Sequence, residues 1–205
     1  MTAETSAPRS AGRKRDPQIE ARATDAAIEV YAVSGWQGFT FDAVARVSGV
    51  GKPAIYRRWP SREALLVDAF DRLNLPTAQD LGSLRADVSD YIAQWIAWYR
   101  IPLLPQAGAR ILIDGPSNAE LNRLYTAMVT APRGTKVREV TRRAIARGEV
   151  PEGTPATAIP DIILGAFFIH WSYSQDRTPE DFRATLEPYG ARLLETIISG
   201  FSHTP

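Results

Sequence analysis

The sequence predicts an all-α protein, a small N-terminal three-helix head followed by a larger helical body, and three observations predict it. Apolar residues recur at helical spacing in one stretch after another between Ala23 and Phe201, which is the period of a helix that buries one face. No alternating run long enough for a strand interrupts them, and no internal repeat is evident. Helix starters and stoppers stand between the stripes: Asp16-Pro17, Ser48-Gly49, Ser61, Pro102, Pro105, Gly115-Pro116, Pro132 and Gly148. With 205 residues, 44% of them hydrophobic, and five Trp, the chain has enough core for a head joined to a body.

Residues 1–15 are rich in Ala, Ser, Thr and Pro and end in Arg13-Lys14-Arg15. They read as a disordered basic tail, either a solvated terminus or an arm that touches phosphates or a minor groove. Asp16 then caps a first helix with Pro17 in its first position, and Ala23, Ala26, Ala27, Val30 and Tyr31 form its apolar stripe as far as Gly35.

Residues 39–59, Phe-Thr-Phe-Asp-Ala-Val-Ala-Arg-Val-Ser-Gly-Val-Gly-Lys-Pro-Ala-Ile-Tyr-Arg-Arg-Trp, read as two short helices around a tight turn. Thr40 is the N-cap of the first, whose apolar side is Val44, Ala45 and Val47. Gly49 reverses the chain through positive φ, and Val50 tucks under the corner. Pro53 fits the first turn of the second helix, and Ile55 and Trp59, four apart, face inward together. At about 100° per residue the opposite face carries Pro53, Ala54 and Arg57, flanked by Lys52, Tyr56 and Arg58. Ala45 supplies the small residue that the helix crossing needs.

This segment resembles the DNA-binding segment of the TetR family of transcriptional regulators. The marks are Thr40, Ala45, Ser48-Gly49-Val50, Ile55-Tyr56, Trp59, and Ser61-Arg62-Glu63-Ala64-Leu65 opening the next helix. Where members often carry an acidic residue after the Thr cap stands Ala43, with Asp42 one place earlier. The resemblance is specific over roughly residues 16–70 and architectural beyond. It implies that Thr40, Tyr56, Arg58 and Arg62 grip phosphates. With Ile55 and Trp59 facing inward, Arg57 points furthest out toward base edges, beside Pro53 and Ala54, and Lys52 reads a base likewise or holds a phosphate. The plain alternative is an αα corner without a nucleic-acid partner.

Ser61 caps a fourth helix with Leu65, Leu66, Ala69, Phe70 and Leu73 at helical spacing, ending near Asn74-Leu75-Pro76. These helices form the expected DNA-binding domain, residues 16–75, and the family resemblance makes the fourth the connection to the body. Residues 77–83 are a turn-rich linker opening the body, residues 76–205.

In the body, residues 84–101 put Val88, Tyr91, Ile92, Trp95, Trp98 and Tyr99 largely on one side of a long helix. Pro102 and Pro105 end it and set up a short helix through Ile113. Ser117 with Glu120 reads as a capping box for a helix carrying Leu121, Leu124, Tyr125, Met128 and Val129 as far as Pro132, which should break it. The continuation puts Val137, Val140, Ala144 and Ile145 inside and stops at Gly148. Residues 159–174 are apolar all round, and residues 180–201 are apolar on two sides with Pro188 between. Such helices must be covered on more than one face, best by copies of themselves.

Ten Lys or Arg oppose six Asp or Glu in residues 1–62, whereas 14 oppose 17 in the remainder, although the whole chain carries only +1. A basic first third favours a polyanion, because each neutralised phosphate releases counterions. The absence of cysteine excludes disulfide and thiolate chemistry and fits a reducing cytoplasm. The longest apolar run, residues 162–169, is far short of the roughly 20 residues that span a bilayer. An enzyme is disfavoured: there is no Gly-rich phosphate loop, no His-x-x-x-His pair, and only two histidines, His170 and His203. No cofactor and no metal are implied.

The expected function is a ligand-responsive repressor. The family resemblance implies a homodimer formed by the last two helices of each chain, two heads on a palindromic operator of double-stranded DNA, and release by a small apolar or aromatic effector. Candidate effector residues are Trp95, Trp98, Tyr99, Phe167, His170 and Trp171, with ordinary core as the alternative for each. Phe168, Leu194 and Ile198 are the candidate dimer interface. A helical protein-protein adaptor is the other reading, and it gives the basic second helix no task.

Overall fold

The structure, a computed structural model, describes residues 17–73, 75–126 and 132–202, and every long regular element in them is a helix. The fold is all-α. In chain order the elements are α1 (Pro17–Gly38), α2 (Phe41–Ser48), α3 (Lys52–Arg58), α4 (Arg62–Asp71), α5 (Leu84–Arg100), α6 (Leu104–Asp114), α7 (Ala119–Tyr125), α8 (Pro132–Ala146), α9 (Ala158–Ser172) and α10 (Pro179–Ser202). The expected basic tail at 1–15, the Asp16 cap, the Asn74 helix end, Met128, Val129 and His203 lie outside the described residues.

Local chemistry sets the head. Thr40 Oγ1 accepts the Ala43 amide at 3.1 Å and starts α2, and Gly49, at φ 66°, ends it in the left-handed region open to glycine. Val50 is buried at the corner, and its amide donates to Ser48 Oγ at 3.1 Å. Ser61 Oγ accepts the Ala64 amide at 3.1 Å and starts α4. Ala23, Ala27, Tyr31, Phe39, Val44, Ile55, Leu65 and Leu66 form the fully buried interior that these caps enclose. Val47 departs from the expected apolar side of α2 and is 43% exposed. α4 also ends earlier than its periodicity suggests: Leu73 N–H bonds Phe70 O at 3.1 Å, an i→i−3 contact that tightens and closes the last turn.

The long α5 is the axis of the body, packed by α10, α8 and α6. Gly190 lets α10 lie close, since a Cβ there would stand 2.8 Å from Ile96 Cδ1. α10 runs on through Pro188, which leaves the Ala184 carbonyl without its helical donor. α8 opens at Pro132, and Gly148, at φ 73°, follows its end. The cap of α7 is Asn118, not Ser117: its Oδ1 accepts the amides of Glu120 and Leu121 at 3.0 and 3.3 Å, after a short 3-10 turn, Gly115–Ser117, has used up Ser117.

The amino end of α5 is held by ions. Asp87, fully buried, accepts the Leu81 amide at 2.6 Å and Arg147 Nη2 at 3.0 Å, with Arg143 Nε at 3.5 Å. Glu149 accepts the Leu84 amide, so two carboxylates meet the positive end of the helix dipole. Asp87→Ala is expected to cost about 3 kcal/mol, the low end for breaking a buried pair because both arginines keep access to water. Urea unfolding should show it as a lower midpoint at unchanged slope.

Candidate nucleic-acid interface and effector cavity

One outward face of the head gathers Thr40, Lys52, Pro53, Tyr56 and Arg57, all exposed. Thr40 still has its hydroxyl proton to donate, since capping uses only an acceptor lone pair. Lys52 Nζ lies 2.7 Å from Asp42, on a pair open to solvent. The Tyr56 ring stands edge-on to Phe41 at 4.8 Å, a support that the helical period did not suggest. Arg57 has no ion-pair or hydrogen-bond partner among the described residues, and its guanidinium is therefore ready for an outside acceptor.

Three other expected contact residues sit differently. Ala54 is half-buried against the core. Arg58, its side chain only 11% exposed, turns back: Nη1 donates to Ala54 O at 3.2 Å, and Nε lies 3.7 Å from Glu20 of α1. Arg72 Nη2 reaches the same carboxylate at 3.0 Å, so Glu20 ties α1 to the ends of α3 and α4. Arg62 bridges head and body. Its Nη1 donates to the carbonyls of Trp36 and Phe39 at 3.1 and 3.3 Å, its Nη2 bonds Glu120 of α7 at 2.7 Å, and its guanidinium carbon lies 4.0 Å above the Trp36 ring. A phosphate grip from Arg58 or Arg62 would have to exchange these internal contacts for the phosphate.

A second bridge has no counterpart in the sequence reading. Arg110 of α6 donates from Nε to Ala32 O at 2.9 Å, beside Gly35, whose φ of 62° breaks the regular course of α1. A Cβ at Gly35 would stand 2.9 Å from Arg110 Nη1, so glycine serves both the backbone turn and the close approach.

Behind α6 lies a cavity of about 370 Å³, within the usual size for a small-molecule site. Trp95, Trp98 and Tyr99 of α5 line it, as do Gly108, Ile111 and Leu112 of α6 and Leu164 of α9. Among the described residues, Arg138 and Asp161 are the only charged ones on its wall. Gly108 makes room for Trp98, whose Cη2 would lie 2.6 Å from a Cβ there. Trp98 Nε1 is buried with no acceptor among the described residues, a donor that a ligand oxygen could satisfy. Burial raises the phenol pKa of Tyr91 to about 12 and pushes that of Tyr99 higher still, so both remain neutral donors.

The other expected effector residues divide. Trp171 lines a neighbouring cavity of about 320 Å³, which shares Tyr99 and Pro105 with the first. Phe167 lines neither; it is core, stacked on Tyr99 at 5.5 Å and edge-on to Tyr189. His170 also lines neither cavity. It stacks on Tyr189 at 4.0 Å with Nε2 2.8 Å from Thr185 Oγ1, and burial, then the charge of Arg177, lowers its pKa.

Phe168, expected at a subunit interface, instead lines the first cavity. The outward stripe of α9 is Ile162, Ile169 and Tyr173, seven and four residues apart and 43%, 50% and 82% exposed. Leu194 and Ile198 of α10 are half-buried against the core.

Comparison with known proteins matches residues 23–69 to the bacterial regulatory proteins of the tetR family and residues 78–187 to the tetracyclin repressor-like C-terminal domain. The chain is 23% identical to the HTH-type transcriptional regulator YdeS of Bacillus subtilis over 176 residues, 83% of this chain and 87% of the relative. It is 25% identical to the HTH-type transcriptional regulator AqdR of Rhodococcus erythropolis over 159 residues, 76% of this chain and 75% of the relative. The fold is similar to that of the transcriptional regulator FadR from Bacillus subtilis, solved in complex with stearoyl-CoA. That match has a TM-score of 0.64 at 18% identity and covers 85% of this chain and 97% of the other.

Proposed function

The chain belongs to the TetR family of bacterial regulators, and on that premise we propose that it is a homodimeric repressor, binding a palindromic operator and released by a small apolar effector. Arg57 and Lys52 would meet base edges, Thr40 and Tyr56 phosphates, and α9 and α10 of two copies would pair. No described helix is long and apolar enough to cross a membrane; binding an operator would require the protein to work in the cytoplasm.

One observation carries the ligand-responsive part: α6 walls the first cavity on one side and grips the end of α1 through Arg110 on the other. A ligand that fills the cavity can shift α6 only by the difference in its affinity for the two positions, and the shift would reach the head through Arg110, with the Glu120–Arg62 contact alongside. The FadR structure with stearoyl-CoA supports a ligand with a long apolar chain within this architecture.

Linkage provides the test. A saturating effector should lower operator affinity by the factor by which operator lowers effector affinity, typically about 5- to 150-fold. Arg110→Ala is expected to leave effector affinity in the DNA-free protein within about twofold while shrinking that coupling factor, because Arg110 does not line the cavity. Full coupling in Arg110→Ala, measured by operator titration with and without effector, would remove this route.

A further inference from the structure

The two cavities of the body differ in chemistry. The first is mostly apolar, with Arg138 and Asp161 on its wall. The second is lined by Arg177 and Arg183 with Gln106 and Thr178 and by aromatic side chains that include Trp171 and Phe182, and no acidic side chain lines it among the described residues. Asp181, close by in sequence, is engaged with Thr178, whose Oγ1 donates to it at 2.8 Å. Tyr99 and Pro105 line both spaces, so the two compartments adjoin at these side chains. Leu103, at the second compartment, is the one non-glycine residue at positive φ among the described residues, at 61°. Local strain of that kind gathers at ligand clamps and switch regions, and here it sits at the joint between α5 and α6.

We propose that the two cavities are the two ends of one elongated site, and that its ligand is an anionic amphiphile: the apolar body fills the first cavity, and a carboxylate or phosphate head lies between Arg177 and Arg183. A guanidinium offers paired donors that match either oxyanion, and neither Arg177 nor Arg183 has an ion-pair partner among the described residues. An alcohol of the same length would gain the apolar contacts alone. Calling this ligand the effector rests on the regulator reading proposed above; the binding specificity itself does not.

The test is a titration of tryptophan fluorescence in the full chain with dodecanoate, dodecyl phosphate and dodecanol, since Trp95 and Trp98 line one compartment and Trp171 the other. Wild type is expected to bind the better of the two anions at least about tenfold more tightly than dodecanol, the size of one charge-assisted contact partly screened by water. The preferred anion then names the head. R177A/R183A should lose the preference while binding dodecanol as wild type does, which also shows that the variant is folded. Equal binding of anion and alcohol by wild type would overturn the proposal, as would an anion preference that survives in the double variant. The same preparations are assayed on a selected operator: operator binding without amphiphile binding rejects this inference alone, whereas amphiphile preference without any duplex binding rejects the regulator reading alone.

Discussion

Ile169→Arg is expected to convert the dimer to a monomer and to weaken operator binding by on the order of a hundredfold or more. Ile169 is half exposed at the centre of an apolar stripe that Ile162 and Tyr173 continue along α9. The proposed pairing would bury it, and a charge buried without a partner costs several kcal/mol. A palindromic operator held by two heads gains from the second binding event as an intramolecular step, worth about 10²- to 10⁴-fold, and a monomer forfeits that gain. Ile113→Arg is the matched control, since Ile113 is 64% exposed on α6, away from the stripe. Sedimentation should show the first variant as a monomer and the second as a dimer. A dimeric Ile169→Arg protein would move the interface off this face of α9.

Arg57→Ala is expected to cost about 1–3 kcal/mol on the best operator and to relax the preference at one symmetric base pair. Ile55 and Trp59, both buried, fix the inward side of α3, and Arg57 on the far side has no partner among the described residues to give up on meeting a guanine. Lys52 differs, because it must leave Asp42 before it can contact a base. Binding measured across a panel of single-site operator variants separates the two roles. Unchanged affinity and preference in Arg57→Ala would pass the reading role to Lys52.

The head was legible residue by residue because its signals are local. Thr40, Gly49 and Ser61 each act on an amide or a torsion within three residues, and a cap or a positive φ leaves its mark in residue type. The internal contacts of Arg58 and Arg62 were not legible, for the opposite reason. Their partners, Glu20 and Glu120, lie 38 and 58 positions away along the chain, and helical period says where a side chain starts, not what it meets. On α9 the period itself carried little direction: a helix apolar on all sides has no polar face to mark outside, and of Phe168 and Ile169, one residue and about 100° apart, the first lines a cavity and the second is half exposed. The aromatic wall formed by Trp95, Trp98 and Tyr99 could be read from α5 alone, whereas Arg110 offered no signal, being an arginine on a short helix whose acceptors are backbone carbonyls of another.

Selection of bound duplexes from a random DNA pool tests the central claim most directly. A homodimeric reader with Arg57 on its exposed helix predicts enrichment of one palindromic consensus, with two identical half-sites related by a twofold axis and a guanine at a matching position of each. No enriched sequence, together with a salt dependence no steeper than that of an unrelated protein, would contradict it and leave the helical adaptor as the remaining reading.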